Sequence, residues 1–149
     1  MVVAGQLRIL FRVSGVVFAM PVSRLLAVLE AKESLVPDES DALPGCQLGI
    51  LDYCEMQVPV YNPAGLFLLP SDADAVSGRL LIYSGADSPW AIRVDQVDRV
   101  VDVSTLESRR APSSLFVSGA VSCEHLALYG DDLLVNLDDQ TLGRACMEA

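Results

Sequence analysis

Short apolar stretches separated by turn signals run through the whole sequence, and they constrain the fold more than any other feature. Leu7–Val13 reads LRILFRV, in which β-branched and aromatic residues alternate with Arg as in a half-buried strand. Ser14 and Gly15 form a hairpin turn signal, and residues 16–20 return as a second strand. Such signals recur roughly every 8–12 residues, which predicts an all-β sandwich or barrel.

The stretch after this hairpin, residues 21–29, fits two structures. Pro21 is placed as in the first turn of a helix. Leu25, Val28 and Leu29 fit either one face of a helix or a following strand. The sequence leaves both alternatives open.

Two more elements follow from local pattern. Residues 49–62 read GILDYCEMQVPVYN, in which a polar cluster at residues 52–55 separates two apolar runs. This predicts a second strand pair with a turn between its strands. Near the other end of the chain, Asp138 and Asp139 supply N-cap and first-turn charges, which predicts a short C-terminal helix.

The second half of the chain repeats the pattern of the first half at an offset of about 72 positions. Residues 19–28 and residues 91–100 both read Ala, apolar, x, Val, x, x, apolar, x, x, Val. Gly49 and Gly119 each open a strand in the two halves. The repeat predicts two similar all-β halves and carries no chemistry by itself.

The length of 149 residues suits one domain. Residues 71–77, SDADAVS, are small and acidic without periodicity, and they lie at the midpoint of the chain. We therefore predict one domain over residues 1–149 with barrel-like halves at roughly residues 14–70 and 78–142, and with strands exchanged between the halves.

Charge and hydropathy exclude several classes of partner. The net charge is −10 and the ten basic residues are scattered, which argues against nucleic acid and anionic membranes. Residues 56–71 are uncharged, but Pro59, Pro63 and Pro70 interrupt them, so membrane insertion is not expected. The N-terminus lacks a signal peptide pattern, which favours a cytoplasmic location with free thiols.

A thiol or zinc site is the chemical alternative. Cys46, Cys54, Cys123 and His125 provide zinc-binding side chains, but their spacing lacks the close cysteine pairs of structural zinc sites. A nucleophilic cysteine would be Cys54 or Cys123 with His125. It is disfavoured because the carboxylates of Asp52 and Glu55 near Cys54 oppose a thiolate, and no basic residue is nearby. Cys46 and Cys123 are more typical of small buried apolar residues and His125 of a loop, and no metal or other cofactor is expected.

Paired carboxylates offer the only other acid–base chemistry. Asp95 and Asp98 lie three positions apart, and adjacent pairs occur at residues 131–132 and 138–139. Neighbouring acids of this kind are more typical of solvated turns and caps than of catalysis. The sequence carries no phosphate-binding glycine loop, zinc-protease helix or serine-hydrolase elbow, so we predict that the protein is not an enzyme.

Four segments in a fixed order carry a family resemblance. Over roughly residues 6–142 the chain resembles the CheW-like family, the chemotaxis coupling domain. Each match is a degenerate apolar pattern, and their order and spacing together are specific. The segments are FRVSGVVFAMPVSRLLAVLE at 11–30, LPGCQLGILDYCEMQVPVYN at 43–62, WAIRVDQVDRVVDV at 90–103, and FVSGAV with LLVNLDDQTL at 116–121 and 133–142.

This resemblance implies an all-β fold of two small five-stranded antiparallel barrels around a shared hydrophobic core, with short helical turns and a C-terminal helix. It implies a non-catalytic adaptor without cofactors in a bacterial chemosensory pathway. One face would meet the regulatory domain of a CheA-type histidine kinase. A groove between the barrels would receive the cytoplasmic tip of a methyl-accepting chemoreceptor, as a helix in a groove.

The resemblance also implies a partner-binding surface and shows where this chain departs from the family. Cys54 and Glu55 stand where the family has Arg and then Gly, and Ala27 stands where a Val-x-Glu-Ile strand has its acid. Cys can replace none of the donors of an Arg. The predicted partner-binding residues are Leu25, Ala27, Val28, Gly49, Leu51, Asp52, Tyr53, Cys54 and Glu55.

These departures motivate an alternative function. A protein with this fold that binds only one partner would serve as an inhibitor or scaffold in a type IV pilus or accessory chemosensory pathway. Open strand edges also make weak homo-oligomers a reasonable expectation.

Overall fold

Twelve strands and two helices form the regular structure of the described part of the chain. The computed structural model describes residues 7–37, 47–63, 78–85, 87–102, 107–110, 125–129, 132–137 and 139–148. The strands are β1 (Leu7–Val13), β2 (Val16–Pro21), β3 (Leu25–Glu30), β4 (Leu35–Pro37), β5 (Gln47–Tyr53), β6 (Met56–Tyr61), β7 (Arg79–Tyr83), β8 (Trp90–Val94), β9 (Gln96–Asp102), β10 (Glu107–Arg110), β11 (His125–Tyr129) and β12 (Asp132–Asn136). The helices are α1 (Ala31–Ser34) and α2 (Asp139–Glu148). The predicted all-β fold with a short C-terminal helix is confirmed.

The two sheets have the same arrangement of six strands. The first sheet has the order β10-β11-β12-β2-β1-β9, and the second has the order β4-β5-β6-β8-β7-β3. Each sheet contains one parallel pair, β12 with β2 and β6 with β8, and its other pairs are antiparallel. The prediction was five antiparallel strands in each barrel, whereas each sheet has six strands and one parallel pair. Alternating apolar residues predict that a segment is a strand, but they do not predict which strand pairs with it. Within the described residues, the two edge strands of a sheet do not pair with each other.

The chain crosses from one sheet to the other directly after two of its hairpins. The β1–β2 hairpin lies in the first sheet and is followed by β3 of the second sheet. The β7–β8 hairpin lies in the second sheet and is followed by β9 of the first sheet. The repeated pattern at residues 19–28 and 91–100 spans these two crossings. Each sheet takes strands from both halves of the sequence, while the assignment of one domain over residues 1–149 stays a prediction.

The first crossing decides between the two alternatives for residues 21–29. Pro21 ends β2, and Leu25 begins β3, so the stretch is a strand after a turn. The turn is closed by the N–H of Leu25, which donates to the carbonyl oxygen of Val22 at 3.1 Å. The helical alternative is wrong beyond this one turn.

A shared core lies between the sheets, and each sheet has a second apolar cluster on its other face. Alternate residues of β1 show the division: Ile9 and Phe11 enter the shared core, whereas Leu10 joins the cluster of the first sheet. Strands β2, β7 and β8 are likewise buried on both faces. The shared core consists of Ile9, Phe11, Val13, Phe18, Met20, Tyr61, Leu81, Tyr83, Trp90, Ile92, Val94, Val135, Leu137, Leu142 and Cys146.

Aromatic side chains and α2 hold this core together. The rings of Tyr83 and Trp90 stack with centroids 5.3 Å apart, and the Tyr83 hydroxyl donates to the carbonyl oxygen of Pro21 at 2.9 Å. This bond ties the second sheet to the end of β2. Helix α2 adds Leu142 and Cys146 to the core and passes close to the Trp90 indole at Gly143.

Candidate partner-binding surface

Strand β3 is an edge strand whose side chains alternate between the interior and the surface. Leu25 is half-buried against the shared core, and Ala27 is half-buried against the cluster of the second sheet. Leu26 and Val28 are 46% and 42% exposed. Of the three residues predicted on this strand, Val28 is the one that faces solvent. Leu26 was not predicted, because a bulge between Leu25 and Ala27 adds a residue to the strand there and interrupts the simple alternation.

The pairing of two edge strands places exposed apolar side chains beside the shared core. Val28 pairs with Leu81, whose side chain lies in the shared core. Val100 of β9 pairs with Ile9, which also lies in the shared core, and Val100 is 51% exposed. Paired residues project from the same face of a sheet. Val28 and Val100 therefore lie at margins of the region between the two sheets.

The second predicted segment is the β5–β6 hairpin. Asp52, Cys54 and Glu55 are exposed, and Tyr53 is half-buried against the cluster of the second sheet. The remaining two predicted residues, Gly49 and Leu51, are buried within β5, so neither is available on the surface. Met56 at the start of β6 is exposed beside the turn but is not among the residues predicted to bind a partner. Partner binding by these residues and by those of β3 stays a prediction.

The turn of this hairpin has an unusual backbone for its residues. Tyr53 pairs with Met56, so Cys54 and Glu55 form a two-residue loop, and their φ angles are 51° and 66°. Two consecutive positive φ angles are typical of a type I′ turn, which favours Asn or Gly. The β1–β2 turn has the same form and places Gly15 at its second position. The β5–β6 turn has Glu55 there and carries steric strain.

We expect Glu55→Gly to raise the free energy of unfolding by about 1 kcal/mol, because glycine removes the clash of a Cβ at positive φ. Urea denaturation measures this change. Glu55→Ala is the matched control, since it removes the same carboxylate and keeps the Cβ. Equal stabilisation by both variants would show that the carboxylate, and not the backbone, is the source.

The described residues test the metal hypothesis only in part. In that part of the chain, no group of three or more His, Cys, Asp and Glu side chains could hold a metal ion. Cys54 is exposed and Cys146 is buried in the shared core, and neither forms a disulfide with another described residue. His125 begins strand β11, so its predicted placement in a loop is wrong. Cys46 and Cys123 lie outside the described residues, so the four-residue zinc hypothesis is untested.

The predicted carboxylate pair Asp95 and Asp98 forms structural ion pairs. Asp98 accepts a hydrogen bond from Nε of Arg12 at 3.0 Å. Asp95 accepts one from Nη1 of Arg93 at 2.8 Å and another from the backbone N–H of Ser14 at 2.7 Å. Asp95 lies in a turn and is 40% exposed, which agrees with the expectation of a solvated turn. Asp98 differs from that expectation, because it lies within β9 and is only 17% exposed. The pairs at residues 131–132 and 138–139 include residues outside the described part of the chain.

The structure therefore defines a two-sheet β fold with exposed apolar side chains on edge strands and a polar hairpin at a separate position of the second sheet. Neither described helix has the length and apolar character needed to cross a membrane. The family model for the CheW-like domain matches residues 8–142. The chain belongs to the CheW-like domain family, which confirms the resemblance seen in the sequence.

Comparison with solved structures agrees with this assignment. Fifteen chains of solved structures match. One is the scaffolding protein TtCheW from Thermoanaerobacter tengcongensis, with a TM-score of 0.74 and 14% sequence identity, over 93% of this chain and 92% of that chain. At this identity the likeness shows the fold. No curated protein matches the sequence. Family membership supports a scaffold or coupling role in chemotaxis, and CheW-family proteins are non-catalytic scaffolds.

Proposed function

We propose that the protein is a non-catalytic, cytoplasmic adaptor that couples the cytoplasmic tips of chemoreceptors to a CheA-type histidine kinase. The observation that carries the proposal is the CheW-like family match, which covers residues 8–142. The exposed apolar side chains of Leu26, Val28 and Val100 support it, because a receptor tip is helical and needs an apolar groove. The kinase contributes its regulatory domain, which meets another face of the protein.

Two titrations test the coupling role. The purified protein is titrated by calorimetry with the regulatory domain of the cognate kinase and, separately, with a soluble receptor tip. An adaptor binds both, and binds the second partner when the first is already present. Absence of binding to both partners would reject the coupling role. Binding to one partner alone would support the narrower scaffold or inhibitor function.

The hairpin turn is the specific observation that favours this narrower function. Cys54 is exposed at the tip of the turn, where family members place a guanidinium group. An Arg offers five donors in a planar fork, and a thiol offers one weak donor. A partner that requires this fork would bind the protein weakly or not at all.

We expect Cys54→Arg to raise the affinity for one of the two partners about tenfold or more, because a charge-assisted hydrogen bond contributes about 1.5–3 kcal/mol. Calorimetric titration of both partners measures the change. Cys54→Met is the control, since it adds length without charge. If Cys54→Arg leaves both affinities unchanged, the turn is not a contact in this protein.

A further inference from the structure

Asp95 lies at the one position between β8 and β9, where the chain leaves the second sheet for the first. Strand β8 ends at Val94 and β9 begins at Gln96. The backbone N–H of Asp95 donates to the carbonyl oxygen of Arg12 in β1 at 2.9 Å. The backbone of this crossing residue is thus fixed to the first sheet.

The carboxylate of Asp95 connects the two sheets. Its Oδ2 accepts from the backbone N–H of Ser14, in the β1–β2 turn of the first sheet, at 2.7 Å. Its Oδ1 accepts from Nη1 of Arg93, in β8 of the second sheet, at 2.8 Å. Both oxygens are therefore engaged, one by each sheet.

The Arg93 side chain is itself held in place. It is 7% exposed, which is unusual for a guanidinium group and leaves it little freedom to move. Gly78, whose φ is 90°, lies next to the guanidinium group. A Cβ on Gly78 would overlap the carbonyl oxygen of Val94 and would lie 3.4 Å from Nη2 of Arg93. The carbonyl oxygen of Gly78 accepts from the N–H of Ala31, which directly follows β3. The contacts therefore continue from the β1–β2 turn to the end of β3.

We propose that Asp95 is a positioning residue that fixes the orientation of the two sheets relative to each other. The nearby carboxylate of Asp98 provides the contrast, because its partner Arg12 lies in the same sheet. At the other crossing, the position equivalent to Asp95 by the offset of 72 is the exposed Ser23, which offers no carboxylate. Orientation of the sheets sets the relative placement of Val28 and Val100, on which the proposed receptor groove depends.

Spin-label distance measurement tests the proposal on the full chain. One label is placed on Cys54 of the second sheet, and the other on Val100→Cys of the first sheet, since both positions are exposed. Cys46→Ser and Cys123→Ser remove other thiols that could react. Asp95→Ala should shift the inter-label distance by on the order of 2 Å or clearly broaden its distribution. Asp98→Ala, which removes the same charge within one sheet, should leave the distribution unchanged.

Arg93→Gln removes the same bridge from the side of the second sheet and should reproduce the effect of Asp95→Ala. A distance distribution that stays at the parent value in Asp95→Ala, even with a lower melting temperature, would show a merely structural role. A change in Asp95→Ala that Arg93→Gln does not share would also overturn the proposal. These distances are measured without any partner, so they are independent of the proposed adaptor function. Receptor-tip affinity of the unlabelled variants then reports whether the orientation matters for binding.

Discussion

Gly143→Ala should lower the free energy of unfolding by about 1–3 kcal/mol, although Ala is the better helix former by about 1 kcal/mol. The reason is the contact between α2 and the aromatic pair of the shared core. A Cβ on Gly143 would lie 2.8 Å from Cε2 and Cζ2 of Trp90. The indole is buried and stacked on Tyr83, so neither ring can move away without disturbing the core. Chemical denaturation followed by far-UV circular dichroism measures the loss.

A double-mutant cycle separates this clash from a general effect on the helix. In a Trp90→Phe background the ring is smaller, so the additional cost of Gly143→Ala should fall by more than half. Arg144→Ala, at the exposed neighbouring position of α2, should change stability by less than about 0.5 kcal/mol. If Gly143→Ala lowers the free energy of unfolding equally in both backgrounds, the loss does not arise from a clash with the indole.

Val28→Asp should weaken binding of the receptor tip at least tenfold, because a carboxylate buried in an apolar interface loses its hydration without gaining a partner. The folded protein should be little affected, since the Val28 side chain is 42% exposed on an edge strand. Calorimetric titration gives the affinity, and thermal denaturation checks the fold.

Met56→Asp is the matched control for this prediction. Met56 has a similar exposed fraction to Val28 and lies on the β5–β6 hairpin, away from β3 in the order of the second sheet. It should leave receptor affinity within about twofold, because contacts outside an interface centre contribute little. Equal losses from both variants would mean that the receptor tip does not discriminate between the two surfaces.

The sequence allowed much of the local structure to be predicted. Alternating apolar residues and turn signals predicted the β1–β2 and β5–β6 hairpins, and capping residues predicted α2. The pattern shared by residues 19–28 and 91–100 indicated the repeat now seen in the strand order of both sheets. The parallel pairs and the number of strands in each sheet could not be predicted. The apolar pattern of a strand indicates which of its residues are buried, but it does not indicate which strand pairs with it.

The candidate surface was predicted less completely, for a physical reason. The residues of β3 and of the β5–β6 turn came from the family resemblance, whereas Leu26 and Val100 were missed. Val100 and Val101 are identical in residue type, yet they are 51% and 7% exposed. The two residues lie on opposite faces of β9: Val101 packs in the cluster of the first sheet, whereas Val100 lies on the other face of this edge strand. Two adjacent Val residues do not by themselves indicate which of them faces the interior.

The two chain crossings have a consequence for folding cooperativity. The β1–β2 and β7–β8 hairpins are each followed by a strand of the other sheet, so neither sheet is complete until the other half of the chain is present. Because both halves belong to one polypeptide, each missing strand is supplied at the high effective concentration of an intramolecular partner. The arrangement is the one that results when two half-length modules exchange their first hairpins, β1–β2 and β7–β8, and are joined. Loss of either exchanged hairpin removes two inner strands from one sheet and the connection to the other sheet, which favours unfolding of both sheets as a single unit.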